Sequence, residues 1–550
     1  MPAYAEPVRP APVLETAPAS TRPALPLGYA IVVALAAGPI LDGAFPDVDV
    51  WPLAFLGIGL ALLVQQGRRL GSAFLVGFVF NASFMGLQVF WATTFLGPLP
   101  WGALTFYEGL WGGAGGMLIT LAYRWLPIVF PGAVSRLLFI PVVVGGLWTL
   151  REAVHAVWPW GGFAWGRVAL SQSDSALSEL FPWVGVSGVS FLMVFVTAVG
   201  LAAIQEGLRH RRPWRGRAFR SPAALRPEPG WATRWTLVTA IAVVLVAIPA
   251  FPVAISGTLR VGAVQGDTKS GYFDPPKHYG DNLLKQVKET EPLYDQHVDV
   301  VVWPEGASDA DPLEDAGAAA YWDAVGRAAG APIVGGTITQ RTSHGVTRYY
   351  NTSLMWDPTT GRPTDYYDKK HPVPFGEYVP ERAFFHALVP GLVDLIQREY
   401  TPGTTDDVMN VGKAVASIAI CFDIVDDQIM TDGVREGGEV VFAQTNNADF
   451  GQFTDESVQQ LAIARVRARE LGRTVVNVST VGTSAIIYPD GSEHDRLPTY
   501  TPGVMVDDVP LSTTITPAVV DGRGIEWLVS GLGLGALLAA FTVRFGRRRR

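Results

Sequence analysis

Val415-Ala-Ser-Ile-Ala-Ile-Cys421-Phe-Asp-Ile424 is a short apolar run of β type that ends in a thiol, with an acid two residues further on. Cys421 is the only cysteine among 550 residues, so it has no partner for an intramolecular disulfide. Its value is either packing or reactivity. A lone cysteine is ordinarily a buried core residue. Two further segments favour reactivity here: Val301-Val-Trp-Pro-Glu305, and Tyr367-Asp-Lys369-Lys-His-Pro-Val-Pro-Phe-Gly-Glu377. Glu305 follows the strand-like run Val298-Asp-Val-Val-Val-Trp-Pro, Lys369 follows Thr364-Asp-Tyr-Tyr-Asp, and Cys421 follows Ala414 to Ile420. Strand ends are where a rigid sheet presents reactive groups to a cleft. A carboxylate that takes the thiol proton and an ammonium that steadies a developing oxyanion complete the equipment for acyl transfer through a thioester. Taken singly, each residue has a plain structural explanation: a helix cap for the glutamate, a solvated loop for the lysine.

Working outward, the segment around these residues alternates strand and helix patterns. Strands are expected at 258–265, 297–303, 332–338, 352–357, 415–420, 438–444, 474–479 and 484–488, and helices at 276–291, 314–329 and 455–472. Mixed elements with short connections indicate an α/β layered domain. The stretch 381–404 departs from the pattern with Phe384, Phe385, Leu388, Leu392, Leu395 and Ile396, and reads equally as a core helix or as a flap lying on a membrane. The arginines Arg465, Arg467, Arg469 and Arg473 read as a solvated helix face.

The rest of the chain is different in kind. Hydrophobic residues make up 49% of the sequence and charged residues only 17%, and the apolar ones fall in long runs. Mean hydropathy is +0.24. A membrane-crossing helix needs about 20 mostly apolar residues, and eight runs are candidates: 25–45, 51–66, 71–95, 101–123, 136–155, 183–204, 235–255 and 524–544. No small-residue cleavage site stands out after the first, and more spans follow it, so it reads as a span and not a signal peptide. Arg68 and Arg69, Arg124 and Arg136, the group Arg209 to Arg226, and the tail Arg547 to Arg550 occupy alternate connections. By the positive-inside rule those connections and both termini are cytoplasmic, and the large segment between the last two spans is extracytoplasmic. The expected organisation is a disordered Pro/Ala-rich tail at 1–24, seven spans in 25–255, a catalytic domain at 256–523, and an eighth span with the Arg tail at 524–550. The Arg tail flanks a span, and the net charge of −8 gives no sign of nucleic-acid binding. Trp158-Pro-Trp-Gly-Gly-Phe-Ala-Trp165 reads as an interfacial aromatic belt. The Gly-rich runs Gly112 to Gly116 and Gly531 to Gly535 read as close helix packing. No paired His/Cys spacing calls for a metal, and no phosphate-loop or dinucleotide motif calls for a cofactor.

The Trp303-Pro-Glu305, Lys369 and Cys421 segments resemble the Glu-Lys-Cys triad of the nitrilase superfamily. The longer strings Tyr367 to Pro380, Val264-Gln-Gly266, Thr445-Asn-Asn447 with Phe450-Gly451, Gln460 to Arg473 and Pro489-Asp-Gly491 resemble the apolipoprotein N-acyltransferase family over nearly the whole chain. The resemblance implies eight transmembrane helices with an extracytoplasmic αββα sandwich between the last two, in the bacterial inner membrane. It implies Glu305 as general base, Cys421 as the acylated nucleophile, Lys369 as stabiliser of the tetrahedral intermediate, and Glu377 as an additional essential acid. Phe422 and Asp423 stand where the family often has Tyr and Glu, as substrate-binding or supporting residues. His371-Pro372 replaces the more usual His-Leu, and Phe273 stands where a Trp is expected. The implied partners are a phospholipid acyl donor and a diacylglyceryl apolipoprotein acceptor, with no cofactor, on a monomer. Two other readings use the same residues differently: a membrane-anchored nitrilase-type amidase, for which seven preceding spans are superfluous, and a transporter or scaffold with a dead outer domain. The latter calls for polar residues deep in the spans, where Glu108 is the main one.

Overall fold

The computed structural model describes residues 23–211, 230–268, 271 and 276–546. The expected tail (except residues 23 and 24), Arg212 to Arg226 in the sixth connection, Phe273 and the Arg547 to Arg550 tail lie outside the described residues.

Each of the eight apolar runs contains a helix, although the run expected at 235–255 is helical only as far as Val246 and Ile255 already begins the first strand. The runs correspond to α1 (Leu27–Asp42), α2 (Leu53–Gln65), α3 (Leu70–Gln88), α5 (Pro98–Val129), α6 (Ile140–His155), α7 (Phe181–Arg211), α8 (Trp231–Val246) and α15 (Pro517–Gly546), with a short α4 (Ala92–Leu96) between α3 and α5. Four described stretches are long and apolar enough to cross a membrane: Leu70–Gln88, Ser135–His155, Ser178–Gln205 and Pro517–Arg544. Helices α1, α2 and α8 are apolar but shorter. Close approach in the bundle depends on glycine. A Cβ on Gly112 of α5 would stand 2.1 Å from Asn81 Cβ and 2.6 Å from the Gly77 carbonyl of α3. On α15 the pattern holds for Gly533, which meets the Gly146 backbone at 2.8 Å, while Gly531 and Gly535 face open space. Glu108 is buried on α5, and its Oε1 lies 2.9 Å from His155 Nε2.

Between α8 and α15 the chain folds as two six-stranded sheets, in the orders β12-β1-β2-β3-β4-β5 and β11-β10-β9-β8-β7-β6. The strands are β1 (Ile255–Gln265), β2 (Val300–Val302), β3 (Ile333–Ser343), β4 (Val346–Asp357), β5 (Arg362–Asp368), β6 (Val408–Asn410), β7 (Val415–Ile420), β8 (Val440–Thr445), β9 (Thr474–Ser479), β10 (Ala485–Ile487), β11 (Glu493–Arg496) and β12 (Gly503–Ser512). Side-chain alternation with a period of two sorts each strand between two cores. In β7, Ala416, Ile418 and Ile420 point into the core between the sheets, and Ala419 points to the opposite face. In β8, Val440 and Phe442 face inward, and Val441 and Ala443 face outward. Because both faces are covered, these strands read as continuous apolar runs. Helices α9 (Asp281–Thr290) and α10 (Ala316–Ala329) cover the first sheet around Trp303, Trp322 and Trp356. Helices α13 (Asp427–Arg435) and α14 (Glu456–Leu471) cover the second. The layers are therefore α, β, β and α, as the sequence resemblance implies.

The α13/α14 layer is also the contact with the helical bundle, and this overturns the reading of the α14 arginines as a solvated face. Arg467 and Arg473 are fully buried. Arg467 pairs with Glu470 and, at 2.7 Å, with Asp427. Asp427 is held from the other side by both Nη atoms of Arg167, at 2.6 and 2.7 Å. Arg465 and Arg469 pair with Glu493 and Glu179. A helix packed on both faces has no solvated side, and its charges persist only because each meets a carboxylate or carbonyl.

The aromatic segment before α7 divides in two. Trp158 and Trp160 are exposed, as a belt requires. Trp165 is buried and donates Nε1 to Gln459 Oε1 at 2.9 Å, so this end locks the bundle to α14. The 381–404 stretch is not a core helix. It forms α11 (Arg382–Leu388), which has no buried residue, and the single turn α12 (Pro390–Val393). Phe385 packs on Phe375 and Trp160, with ring centroids 4.8 and 5.8 Å apart, while Phe384 and Leu388 are exposed.

Candidate active site

The two sheets bring the three segments to one place from opposite sides. β2 ends at Val302; buried Trp303 anchors the next turn through Nε1 to Thr290 Oγ1 at 3.0 Å, which fixes where Glu305 emerges. β5 delivers Lys369 immediately after Asp368. β7 in the other sheet delivers Cys421, at the start of a tight turn over Cys421–Val425. The Cys421 backbone has φ of 49°, the left-handed region that a non-glycine residue adopts at a cost of about 1–3 kcal/mol. Fully inward-facing Ile420 and buried Phe422 on either side hold that conformation. Cys421 itself keeps some solvent exposure, as attack on a substrate requires.

Lys369 Nζ lies 2.8 Å from Glu377 Oε2 and 3.4 Å from Glu305 Oε1. Asn351 on β4 donates Nδ2 to both acids, at 2.7 Å to Glu305 Oε1 and 3.0 Å to Glu377 Oε1. The Val373 amide donates to Glu377 Oε2 at 2.7 Å, closing the loop that carries both Lys369 and Glu377. The second oxygen of Glu305 is buried and makes no hydrogen bond among the described residues. Burial raises the Glu305 carboxyl above its usual range, against the Lys369 charge, and Glu377 adds to the rise. Burial alone would lower the Lys369 amine, but the charges of Glu377 and Glu305 outweigh it, and Lys369 is held firmly as an ammonium. Burial likewise pushes the Cys421 thiol well up, with the Glu305 charge adding and Lys369 opposing. Burial therefore favours a neutral thiol beside a fixed cation.

The two expected supporting residues do different jobs. Asp423 is a strut. It accepts from the Ile420 amide at 3.1 Å, from Tyr367 OH at 2.9 Å and from the His371 amide at 3.0 Å. It thereby ties the end of β7 to the Lys369 segment across the two sheets. Phe422 turns away from the sulfur into the bundle, stacked on Phe163 at 5.8 Å and Trp165 at 6.5 Å with His371 edge-on at 5.1 Å. Its place is structural support at the junction with the bundle. Residue-by-residue reading missed Asn351, which bridges the two acids. It lies mid-strand in Tyr349-Tyr350-Asn351, and an uncharged amide there carries no local signature.

Residues 37–199 match the family described as Apolipoprotein N-acyltransferase N-terminal domain, and residues 260–516 match Carbon-nitrogen hydrolase. The Apolipoprotein N-acyltransferase of Mycolicibacterium smegmatis is 30% identical over 94% of this chain and 87% of its own length. That of Pseudomonas syringae pv. tomato is 26% identical over 90% of this chain and 93% of its own. Among solved structures, an amidase from Nesterenkonia sp. aligns with 48% of this chain and 94% of its own, at 16% identity and a TM-score of 0.34. The M. smegmatis relative, matched along nearly the full length of both chains, shows that this chain belongs to the apolipoprotein N-acyltransferase family.

Proposed function

We propose that the protein transfers a fatty acyl chain from a membrane phospholipid, through a thioester on Cys421, to the α-amino group of the diacylglyceryl-cysteine that begins an apolipoprotein. The observation that carries this reading is the convergence of Cys421, Glu305 and Lys369 in a domain whose α14 face is ion-paired to an apolar helical bundle. Substrates that are both lipids call for a site held at the bilayer; a soluble amide does not.

The reaction follows from the groups present. Glu305 accepts the Cys421 proton, and the thiolate attacks the donor ester carbonyl. The Lys369 ammonium stabilises the tetrahedral oxyanion. The C–O bond breaks, Glu305 returns its proton to the leaving oxygen, and a lysophospholipid departs. The acceptor amine then attacks the thioester, Glu305 takes the amine proton, the C–S bond breaks, the electron pair returns to sulfur, and Glu305 passes the proton to it, restoring the thiol. Glu377 and Asn351 hold Lys369 and Glu305 in register for both steps.

In this reading all eight helical runs cross the bacterial inner membrane, both termini are cytoplasmic and residues 256–523 work outside, on a monomer. The Arg-rich connections support that orientation. The segment α11–α12 acts as a membrane-facing flap, supported by exposed Phe384 and Leu388. The test is intact-mass analysis of protein incubated with phospholipid, with Cys421→Ser as control. A hydroxylamine-labile acyl increment on the wild type alone, discharged by a diacylated lipopeptide, is expected. An adduct discharged equally fast by water would move the reading to an amidase, and absence of any adduct would overturn it.

A further inference from the structure

A second set of buried polar groups, apart from Lys369 and its two acids, lies beside the Cys421 sulfur. Gln460, on the first turns of α14, places Nε2 3.8 Å from Cys421 Sγ. The hydrogen bonds around it are consistent with the amide nitrogen facing the sulfur. Asn447 Oδ1 accepts from Thr445 Oγ1 at 3.1 Å and also from Ser479 Oγ. Asn447 Nδ2 is the other end, and it donates to Glu456 Oε2 at 2.6 Å and to Gln460 Oε1 at 2.9 Å. With its oxygen so engaged, Gln460 presents N–H to the thiol. Asn447, Glu456, Gln460, Thr445 and Ser479 are all buried, and no competing solvent donor reaches them. Glu456 sits in the same network as a carboxyl that burial pushes up to about 8, with Glu305 adding to the rise, and once ionised its charge opposes a thiolate on Cys421.

We propose that Gln460 is a catalytic residue that donates a hydrogen bond to the Cys421 thiolate and to the sulfur as it leaves the thioester, and that Asn447 and Glu456 are positioning residues that orient its amide. Charge-assisted bonds of this kind strengthen when the acceptor becomes anionic and are often long at rest. The inference rests on Cys421 being the nucleophile, as proposed above.

Because Cys421 is the only thiol in the chain, iodoacetamide alkylation of the intact protein in detergent reads this sulfur alone. Four titratable groups bear on it, namely Glu305, Lys369, Glu456 and Glu377, and all are retained in the variants Gln460→Met, Gln460→Glu and Asn447→Leu. The pH midpoint of alkylation should rise by about one unit in Gln460→Met, which is about a tenfold slower reaction below the midpoint. Gln460→Glu should rise further, since a carboxylate then faces the sulfur. Asn447→Leu, which frees the Gln460 amide, should shift in the same direction and decides the matter if Gln460→Met does not fold. A packing role alone predicts lower melting temperatures with unmoved midpoints, and that result overturns the inference. Alkylation needs no substrate, so the two proposals fail separately. No acyl adduct on the wild type sinks the transferase reading, whereas wild-type acylation with unshifted Gln460 variants sinks only this one.

Discussion

Lys369 sits closer to Glu377, at 2.8 Å, than to Glu305, at 3.4 Å. The nearer acid neutralises the ammonium, and this leaves the further one free to move protons. Replacing Glu377 by Gln keeps a side chain of the same size but removes that charge. Lys369 should then pair with Glu305, lowering its basicity and holding it away from the thiol. Thioester formation should fall about 10²-fold, the usual worth of a positioned base, with the melting temperature little changed. Single-turnover acylation followed by mass spectrometry measures it. A Glu377→Gln enzyme that acylates at the wild-type rate would mean that the two acids are not divided in this way.

The same division sets the acid limb of the pH profile. Burial raises Glu305 above its ordinary 4.5, so its base form is lost at a higher pH than an exposed carboxylate would lose it. The kcat/KM for acyl transfer should decline on acidification with a midpoint above 4.5. Glu305→Gln should remove that limb along with at least about 10²-fold of the rate. A variant that kept both would exclude Glu305 as the base.

Asp427 is the joint between the two halves of the molecule. It accepts from Arg167 on the bundle side and from Arg467 on α14, and both arginines are buried. Their charges hold the Asp427 carboxyl well below the usual range despite burial. Asp427→Ala leaves two buried cations without this shared carboxylate, a change that costs about 3–5 kcal/mol when one side of a buried pair is removed. Limited proteolysis in detergent should cut between the halves far faster, and thermal melts should drop by several degrees. Asp427→Asn, which keeps acceptor capacity, should lie between. Equal behaviour of the three proteins would show that the other contacts across the junction hold it without Asp427.

The parts of this site that were legible in the sequence are those with local signatures. Glu305, Lys369 and Cys421 each end a strand-like run, and the structure does set them at strand ends. Strands β6, β11 and β12 escaped notice because local propensity is weak there. Each is short or interrupted, and β12 carries Asp507, Asp508 and Pro510 while pairing antiparallel along nearly all of β1. Pairing partners across more than 200 residues supply what local propensity lacks. The α14 arginines were misread because charge implies solvent unless a partner is known, and Asp427 and Glu470 become partners only in the fold. Asn351, Asn447 and Gln460 are uncharged amides whose meaning lies wholly in which atoms they face.

Glu456 gives the site a measurable mark on stability. Its folded-state value of about 8 lies above the 4.5 of the free side chain. Between those values the folded protein binds more protons than the unfolded chain. The contribution of the protonated form is therefore fully present below pH 4.5 and is lost as pH rises through about 8. Glu456→Gln keeps an acceptor for Asn447 and cannot ionise, so it lacks this loss. The melting temperature of the variant relative to wild type should rise steadily from pH 5 to pH 8, by an amount equivalent to about 1 kcal/mol per pH unit. Taking the difference between the two proteins cancels Glu305, Glu470 and Asp423, which burial also raises in both. A difference that stays constant across this range would mean that Glu456 is already ionised at pH 5, held by Asn447 against its burial, and that a full negative charge stands in the network that faces the thiol.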